Sequence, residues 1–433
     1  MSTRRHFVSA STAAITGAAL GLRPARLARN AANTAGTALP DAIRALRPMT
    51  AAVTPISVEE RRARIEKAKN LMRESKVDAL VLTGGTSMEY FTGIKWGVSE
   101  RLLAAVIPVK GSAFLVTPKF EEGRAMEQAH EGPLGADAQV YAWEEDENPH
   151  ALIAQGFRSR GLSTATIGVE ETTRFVFADR MATTLASGKF VSGTPISAGC
   201  RMVKDAHEIA LMEHASKVTL AAYEAAWKSL TDGMTQSQFQ SMVQDAHRKL
   251  GYEGSAGAQV GEFSANPHGS VKPQIIREGS IVLIDGGCKV EGYCSDISRT
   301  FVLGKATQRM KDVFEIEFRA QSAALAAAKP GVAAESVDAA ARKVIADGGF
   351  GPGYKYFTHR VGHGMGMDGH EWPYLVKGNT MPLQTGMVFS DEPGIYIPGE
   401  FGIRLEDDMV ITETGARLLT PQSHSLEQPF VVT

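Results

Sequence analysis

Apolar positions follow two different patterns along the chain, and the change of pattern falls near residue 200. Between residues 59 and 196, short continuous apolar runs alternate with segments in which apolar residues recur every three or four positions. The continuous runs are typical of buried strands, and the longer period is typical of amphipathic helices. We predict helices over 59–75 and 173–187, and strands over 79–82, 102–108, 113–116 and 166–169. Strands that alternate with helices predict an α/β domain.

Beyond residue 204 the pattern becomes helical, with Ile209, Met212 and Ala215 spaced three positions apart. The predicted helices span 205–229, 236–250, 310–329 and 334–347. After Tyr354, short apolar runs are separated by glycines and prolines, which is typical of antiparallel strands joined by turns. The second half is therefore predicted to be an α+β domain. We place an export signal at 1–38, a linker at 39–58, the first domain at 59–197 and the second at 198–433.

The N-terminal segment differs in composition from the rest of the chain. Arg4 and Arg5 precede Phe7 and a short apolar run of small residues over 10–22. This order is typical of an export signal, and the paired arginines resemble the twin-arginine type. A membrane anchor is the alternative, but the run is shorter than the roughly 20 apolar residues of a membrane helix. We expect cleavage between residues 28 and 38 and a mature protein in the bacterial periplasm.

Overall composition narrows the classes of function. The chain is 43% hydrophobic and 22% charged with a net charge of −2, which is ordinary for a soluble globular protein and gives no support for a nucleic-acid partner. No apolar stretch is long enough for a stable membrane span. The cysteines Cys200, Cys288 and Cys294 lack a metal-binding spacing, and we expect no disulfide between the last two. The odd number leaves at least one free, buried thiol.

Two aspartates, Asp285 and Asp296, flank a predicted turn. A β-branched apolar run before Asp285 and a glycine at position 292 predict a hairpin. If the turn centres between Val290 and Glu291, the aspartates face each other with Cβ atoms about 5 Å apart. Two buried carboxylates at that distance cannot both stay ionised without a positive charge between them. A divalent metal is the simplest such charge, and two surface acids beside a turn are the alternative.

A histidine and two glutamates supply further candidate ligands. His363 stands among glycines, which let the backbone approach a small site closely. A phosphate-binding glycine loop is disfavoured, because the strand, helix and lysine that it needs are missing around this segment. Glu392 ends an apolar strand, and Glu406 follows Arg404 by two positions in an alternating strand, so that both side chains share a face. Arginine beside a ligating carboxylate stabilises its ionised form. Four carboxylates and one imidazole suit Mn, Fe, Co or Zn.

These motifs resemble the pita-bread metallopeptidases, in the aminopeptidase P and prolidase branch. The resemblance covers nearly all of 59–433 and rests on Ser-Asp-Ile-Ser-Arg-Thr-Phe at 295–301, Gly-His-Gly at 362–364, Glu-Pro-Gly-Ile-Tyr at 392–396 and Arg-Leu-Glu-Asp-Asp at 404–408. It implies a creatinase/prolidase-type α/β N-terminal domain, with helices around a mixed sheet, followed by an α+β pita-bread catalytic domain. The implied ligands of a dinuclear centre are Asp285, Asp296, His363, Glu392 and Glu406, with Asp296 and Glu406 bridging both ions.

The resemblance also implies a reaction, the metal-dependent hydrolysis of the bond preceding proline by an Xaa-Pro aminopeptidase or dipeptidase. The implied cofactors are two divalent ions, with Mn²⁺ placed before Co²⁺, Fe²⁺ and Zn²⁺. Glu392 is the candidate for moving the proton, and His268 and His370 are the candidates for stabilising the developing oxyanion. Arg404 matches a substrate-contact position. The implied partners are a proline-containing peptide and further copies of the chain in a dimer or tetramer.

Substrate preference is the least constrained part of this interpretation. A creatinase-like amidinohydrolase and an inactive peptide-binding relative are the two alternatives, and both types characteristically lack part of the ligand set. Gly369 replaces a usual larger apolar residue before His370, which puts the shape of the pocket in doubt. Aromatic candidates for a proline pocket, with core packing as the alternative, are Tyr354, Tyr356, Trp372 and Tyr396.

Overall fold

The strands of the first half form one six-stranded sheet, and four of them are the predicted continuous apolar runs. The computed structural model describes residues 38–431, so the predicted export signal lies outside the described residues except for its last position. The strands are β1 (Ala79–Thr83), β2 (Ala104–Pro108), β3 (Phe114–Pro118), β4 (Gln139–Trp143), β5 (Thr166–Val169) and β6 (Lys189–Ser192). Their order is β4-β3-β2-β1-β5-β6, and β1 pairs antiparallel with β2 but parallel with β5. The sheet is therefore mixed, as predicted.

Seven α-helices lie in the first half of the described residues. They are α1 (Asp41–Arg44), α2 (Val58–Glu74), α3 (Thr86–Thr92), α4 (Glu122–Glu131), α5 (Pro149–Arg158), α6 (Phe175–Thr184) and α7 (Thr194–Arg201). Ser57 and Glu60 form a capping box that fixes the start of α2. Within the segment predicted as a linker, Ile43 is fully buried and the amide of Met49 donates to the carbonyl of Leu250. That segment is folded against the second half, and α7 runs across the boundary predicted at 197/198.

The second half combines long helices with antiparallel sheets. Its helices are α8 (Ala206–Trp227), α9 (Gln236–Leu250), α10 (Gln308–Ala327) and α11 (Ala334–Ile345). Its strands are β7 (Gly254–Val260), β8 (Ile281–Val290), β9 (Tyr293–Cys294), β10 (Ile297–Val302), β11 (Gly362–Gly364), β12 (Glu371–Leu375), β13 (Val388–Asp391), β14 (Gly394–Ile397), β15 (Phe401–Arg404), β16 (Asp407–Ile411) and β17 (Ala416–Leu418). One sheet has the order β10-β8-β7 with β9 added to β8, and a second has the order β12-β11-β13-β16-β17. Strands β14 and β15 form a separate pair.

Two apolar cores hold these sheets against the helices. Phe239 and Val243 of α9 pack with Ile284 of β8 and Phe301 of β10. A larger cluster joins α10 and α11 to the second sheet and includes Phe389. Because the helices cover the outer faces, the polar side chains of the strands are directed to a shared inner region. The predicted α/β domain followed by an α+β domain is confirmed.

The predicted hairpin is present, but its register was wrong by two residues. The turn lies at Glu291 and Gly292, whose φ angles of 48° and 87° are both positive, as a two-residue type I′ turn requires. Asp285 consequently faces Ser298 instead of Asp296. A shift of two residues keeps every side chain on its original face. The two aspartates therefore still reach the same side of the sheet.

Candidate metal centre

Five side chains predicted as ligands converge at the inner faces of the two sheets. Ligand atoms of Asp285, Asp296 and Glu406 all lie within 4.8 Å of one another, and so do those of His363, Glu392 and Glu406. A third group of the same size joins Asp296 and His363 to His370. The groups share members, so the donors form one continuous cluster.

Two of these carboxylates belong to residues that lie in short breaks between consecutive strands. Asp296 stands between β9 and β10, where its amide donates to Asp408 at 3.3 Å. Glu406 stands between β15 and β16, where its amide donates to the carbonyl of Ser298 and its own carbonyl accepts from Arg299 at 2.8 Å. The single alternating strand predicted across Arg404 and Glu406 is therefore wrong, because two residues leave the ladder between β15 and β16. These breaks aim the carboxylates inward while their backbone groups stay hydrogen-bonded.

Burial and mutual repulsion of the acids together determine the electrostatics of the cluster. Burial, reinforced by the charges of Asp285 and Asp408, raises the pKa of Asp296 well above its usual range. Burial and the neighbouring charge of Asp296 do the same to the pKa of Glu406. For Glu392, burial acts upward, but the neighbouring imidazoles and the charge of Arg404 bring the pKa down to about 2. The cluster thus concentrates more negative charge than its own cations balance.

His363 is held with one nitrogen free for the cluster. Its Nδ1 lies 3.2 Å from the carbonyl oxygen of Gly364, which can only accept, so Nδ1 carries the proton. The unprotonated Nε2 lies 3.3 Å from Oε1 of Glu392 and 3.8 Å from Oδ2 of Asp296. The ring stacks on His370 with centroids 3.6 Å apart. This tautomer leaves the Nε2 lone pair directed at the carboxylates, as metal coordination requires.

Arg404 organises the opposite side of the cluster. Its Nη2 lies 2.6 Å from Oδ2 of Asp285, whereas its Nε is 3.9 Å from Glu406. The predicted pairing with Glu406 is therefore secondary to the pairing with Asp285. Nε donates to Oγ of Ser298 at 2.9 Å, and that hydroxyl lies 3.0 Å from Asp285 and 2.5 Å from Glu406. Ser298 connects the arginine with both acids, a role that we did not predict.

The cluster forms the floor of a cavity of about 320 Å³. All eight predicted site residues line it, including His268 and His370 on the walls. Four further residues complete the lining: Pro267, His359, Arg360 and Val376. Sequence reasoning missed the two polar ones, although both precede His363 in the same glycine-flanked segment.

The aromatic residues predicted for a proline pocket are not among those lining the cavity. Tyr354 and Trp372 are 48% and 40% exposed. Tyr396 is buried behind the wall, where its hydroxyl accepts from Arg404 at 3.0 Å and contacts Nε2 of His359 at 2.7 Å. Its role is to support polar groups of the wall, which agrees with the alternative of core packing.

The donor set fits divalent cations. Oxygen atoms from four carboxylates and one unprotonated imidazole nitrogen match the preferences of Mn, Fe, Co and Zn. A bound cation would offset the burial and the repulsion that raise the pKa values of Asp296 and Glu406. The three cysteines are free and buried away from this donor set, so no thiolate takes part.

Comparisons with known proteins agree with this geometry. Residues 210–413 match the model of metallopeptidase family M24, and residues 64–203 match the creatinase/prolidase N-terminal domain. The chain is 31% identical to the putative dipeptidase YkvY of Bacillus subtilis, over 82% of this chain and 97% of that protein. It is also 31% identical to an Xaa-Pro dipeptidase of Lactobacillus delbrueckii subsp. lactis, over 84% of this chain and 98% of that protein.

A solved structure extends the agreement to the fold. Dipeptidase PepE from Mycobacterium ulcerans superposes with a TM-score of 0.80 at 32% identity, over 86% of this chain and 99% of that one. Both halves of the chain are therefore shared with these relatives, as the resemblance in the sequence predicted. The chain belongs to metallopeptidase family M24, with a creatinase/prolidase N-terminal domain ahead of the peptidase domain, and is a metallopeptidase.

Proposed function

We propose that this enzyme is an exopeptidase that hydrolyses the bond preceding proline in short peptides, with two divalent metal ions at the cluster. The observation that carries the proposal is the convergence of five oxygen and nitrogen donors on the floor of a cavity whose walls hold three further histidines. The relative from Lactobacillus delbrueckii named an Xaa-Pro dipeptidase supports the choice of substrate.

Asp285, Asp296, His363, Glu392 and Glu406 would hold the ions. Metal ions in such a site supply an activated water nucleophile and polarise the scissile carbonyl. Mn²⁺ is our first choice, and Co²⁺, Fe²⁺ and Zn²⁺ are the alternatives. Arg404 contacts Asp285 at 2.6 Å and so orients that carboxylate.

Glu392 is suited to moving the proton. Its carboxylate lies between His363 at 3.3 Å and Nδ1 of His359 at 3.9 Å and borders the cavity. During hydrolysis the water oxygen bonds to the carbonyl carbon and the carbon–nitrogen bond breaks. Glu392 takes the proton from the attacking water and delivers it to the leaving proline nitrogen.

The cavity walls supply the remaining contacts. His268 and His370 are placed to donate hydrogen bonds to the oxygen of the carbonyl as it gains negative charge. Pro267 and Val376 are the apolar groups of the lining, and the proline ring would lie against them. An amidinohydrolase or an inactive relative is disfavoured because the whole ligand set is assembled.

Removal and return of metal tests the proposal directly. Protein treated with a chelator should lose hydrolysis of Ala-Pro and regain it with Mn²⁺, while its circular dichroism is retained. Asp296→Ala should lower both the bound metal, measured by plasma mass spectrometry, and the activity by at least about 100-fold. Asp347→Ala, at an exposed ion pair on the surface, is the matched control. Full activity of Asp296→Ala with unchanged metal content would refute the two-metal site.

We also propose that the protein is exported and that it forms a homo-oligomer. The twin-arginine segment supports delivery to the periplasm, which cell fractionation would test. In the part of the chain that the structure describes, no helix is long and apolar enough to cross a membrane. A dimer or tetramer is expected from the family resemblance, and light scattering of the purified protein would decide it.

A further inference from the structure

Arg360 is a cation on the cavity wall without a carboxylate partner among residues 38–431. The cavity is lined by two arginines, Arg360 and Arg404. Arg404 is 3% exposed and is engaged by Asp285 and Glu406. Arg360 is partly exposed, and its contacts are with an aromatic ring and an imidazole. Its charge is therefore available to an anion that enters the cavity.

The guanidinium is nonetheless held in a defined position. It lies over the ring of Tyr374 on β12, 4.0 Å from the centroid, a stacking that fixes the plane of its donors. Its Nη2 lies 3.3 Å from Nδ1 of His370. Because arginine can only donate, Nδ1 accepts, and the proton of His370 resides on Nε2. His370 in turn stacks on the candidate ligand His363, so the guanidinium stands close to the reacting centre.

We propose that Arg360 binds the C-terminal carboxylate of the substrate and thereby makes the enzyme a dipeptidase. The inference rests on the proposed function and specifies its substrate class. In an Xaa-Pro dipeptide, the carboxylate is separated from the scissile carbonyl carbon only by the nitrogen and the α carbon, a span of about 3–4 Å. Planar, paired donors on a partly desolvated wall match that carboxylate bidentately.

A longer peptide would not form this contact with Arg360. If the chain continues beyond proline, the carboxylate is replaced by a neutral amide, and the arginine loses its charged partner in the confined cavity. Selection would therefore follow the charge at the end of the substrate. The competing explanation is that Arg360 only orients His370, and that role would affect charged and neutral substrates alike.

Three peptides separate these explanations: Ala-Pro, its C-terminal amide Ala-Pro-NH₂, and Ala-Pro-Ala. For the Mn²⁺-loaded wild type, we expect kcat/KM to be at least about 30-fold higher for Ala-Pro than for either neutral-ended substrate. Arg360→Gln should lower kcat/KM for Ala-Pro by about 30-fold while changing the value for the amide by less than about threefold. Arg360→Lys should recover part of the preference, because it restores charge without the planar pair of donors.

A binding measurement supports the kinetic one. The analogue of Ala-Pro in which a methylene replaces the scissile carbonyl should bind wild type more tightly than its own amide, and Arg360→Gln should abolish that difference. Arg319→Gln, at an exposed arginine on α10, is the matched control and should leave the preference intact.

Equal losses for Ala-Pro and its amide in Arg360→Gln would overturn the inference, because they are the signature of a role through His370 alone. Wild type that cleaves Ala-Pro-Ala as well as Ala-Pro would also overturn it, and Xaa-Pro hydrolysis itself would stand. Failure of the Mn²⁺-loaded enzyme to cleave all three peptides would instead remove the proposed function, and this inference with it.

Discussion

Ser298 shows how much of the site depends on single buried hydroxyls. It is fully buried, accepts from Arg404 and lies within hydrogen-bond distance of Asp285 and Glu406. It lies in the motif at 295–301, but that motif does not reveal its contacts, because its partners Arg404 and Glu406 stand more than a hundred positions away. The acids were predictable from their motifs and spacing. The network that orients them was not, since it exists only after the two sheets meet.

Replacement of Ser298 should therefore weaken the site without removing a ligand. In Ser298→Ala, Arg404 loses an acceptor, and one carboxylate loses a donor in a buried position. An unsatisfied buried group costs about 1–3 kcal/mol, so we expect metal affinity or kcat/KM to fall by about 10- to 100-fold. Metal titration and steady-state kinetics would measure the two effects separately.

The exposed α9 residue Ser241 provides a matched control, because its hydroxyl contacts only a helix carbonyl. Ser241→Ala should match wild type in both assays. Wild-type affinity and kinetics in Ser298→Ala would show that Arg404 alone orients the two acids.

At the scale of elements, the helices and strands were predicted correctly where neighbouring residues in the sequence determine their ends, and incorrectly where they do not. Helix α9 was predicted with its observed bounds, because a capping box at Thr235 starts it and Gly251 ends it with φ of 94°. Strands β4 and β6 were missed, because both are partly exposed at the edges of the sheet and β6 has only two adjacent apolar residues. The hairpin register failed because a non-glycine residue, Glu291, takes a positive φ in the turn.

The segment between β11 and β12, which carries His370, is anchored from outside the site. Arg201 at the end of α7 contacts Asp368 at 2.6 Å and also pairs with Glu371. Lys204 donates to Glu371 at 2.7 Å, and Thr86 of α3 donates to Asp368 at 2.6 Å. This group, Arg201, Lys204, Asp368, Glu371 and Thr86, is called the junction cluster. Through it the N-terminal half positions a histidine of the cavity.

Arg201→Met should consequently slow catalysis as well as destabilise the fold. Breaking a buried ion pair costs about 3–5 kcal/mol, and the loosened segment should lower kcat by about tenfold with metal content unchanged. Adding Asp368→Asn removes a stranded charge, so the double variant should be less destabilised than the sum of the single variants. Denaturant unfolding and kcat measurements would show this. Strict additivity of the two variants would contradict a shared cluster.

At the scale of the whole molecule, the two halves form one body over the described residues. Pro40–Thr433 make up a single compact unit, although the family models divide the chain near residue 205. The division into an α/β and an α+β half was predictable from the change of apolar period. The contacts that join the halves were not, because they pair polar residues that each read as surface positions. The exact domain boundaries and the periplasmic location stay predictions.

One of these joining contacts should respond to pH. His207 near the start of α8 lies 2.6 Å from Glu60 of α2 through Nδ1, and its Nε2 is 3.0 Å from the carbonyl of Thr54. Both partners are acceptors, so the doubly protonated ring is favoured. The hydrogen bond to Glu60 raises the pKa of His207, and burial opposes it only in part. For Glu60, burial acts upward, but hydrogen bonds from Ser57 bring the pKa down to about 2.

The direction of the pH effect follows from these two shifts. Because the folded pKa of His207 exceeds its unfolded value of about 6.5, its contribution is complete below that pH and is lost as the pH rises through the folded pKa. Glu60 contributes above its unfolded pKa of about 4.3 and loses that contribution as the pH falls towards 2. The pair should thus stabilise most between about pH 4.5 and 6.5, by roughly 0.5–1 kcal/mol for a partly exposed contact.

We expect His207→Gln to lower the midpoint of denaturant unfolding relative to wild type at pH 5.5, and the difference to shrink at pH 8.5. His130→Gln, at an exposed position on α4, should track wild type at both values because His130 lies away from the contact between the halves. Additional salt should reduce the difference at pH 5.5, since the pair is partly exposed to solvent. A difference of the same size at both pH values would mean that His207 acts through packing alone, and the halves would then be joined by the junction cluster and apolar contacts without this charge.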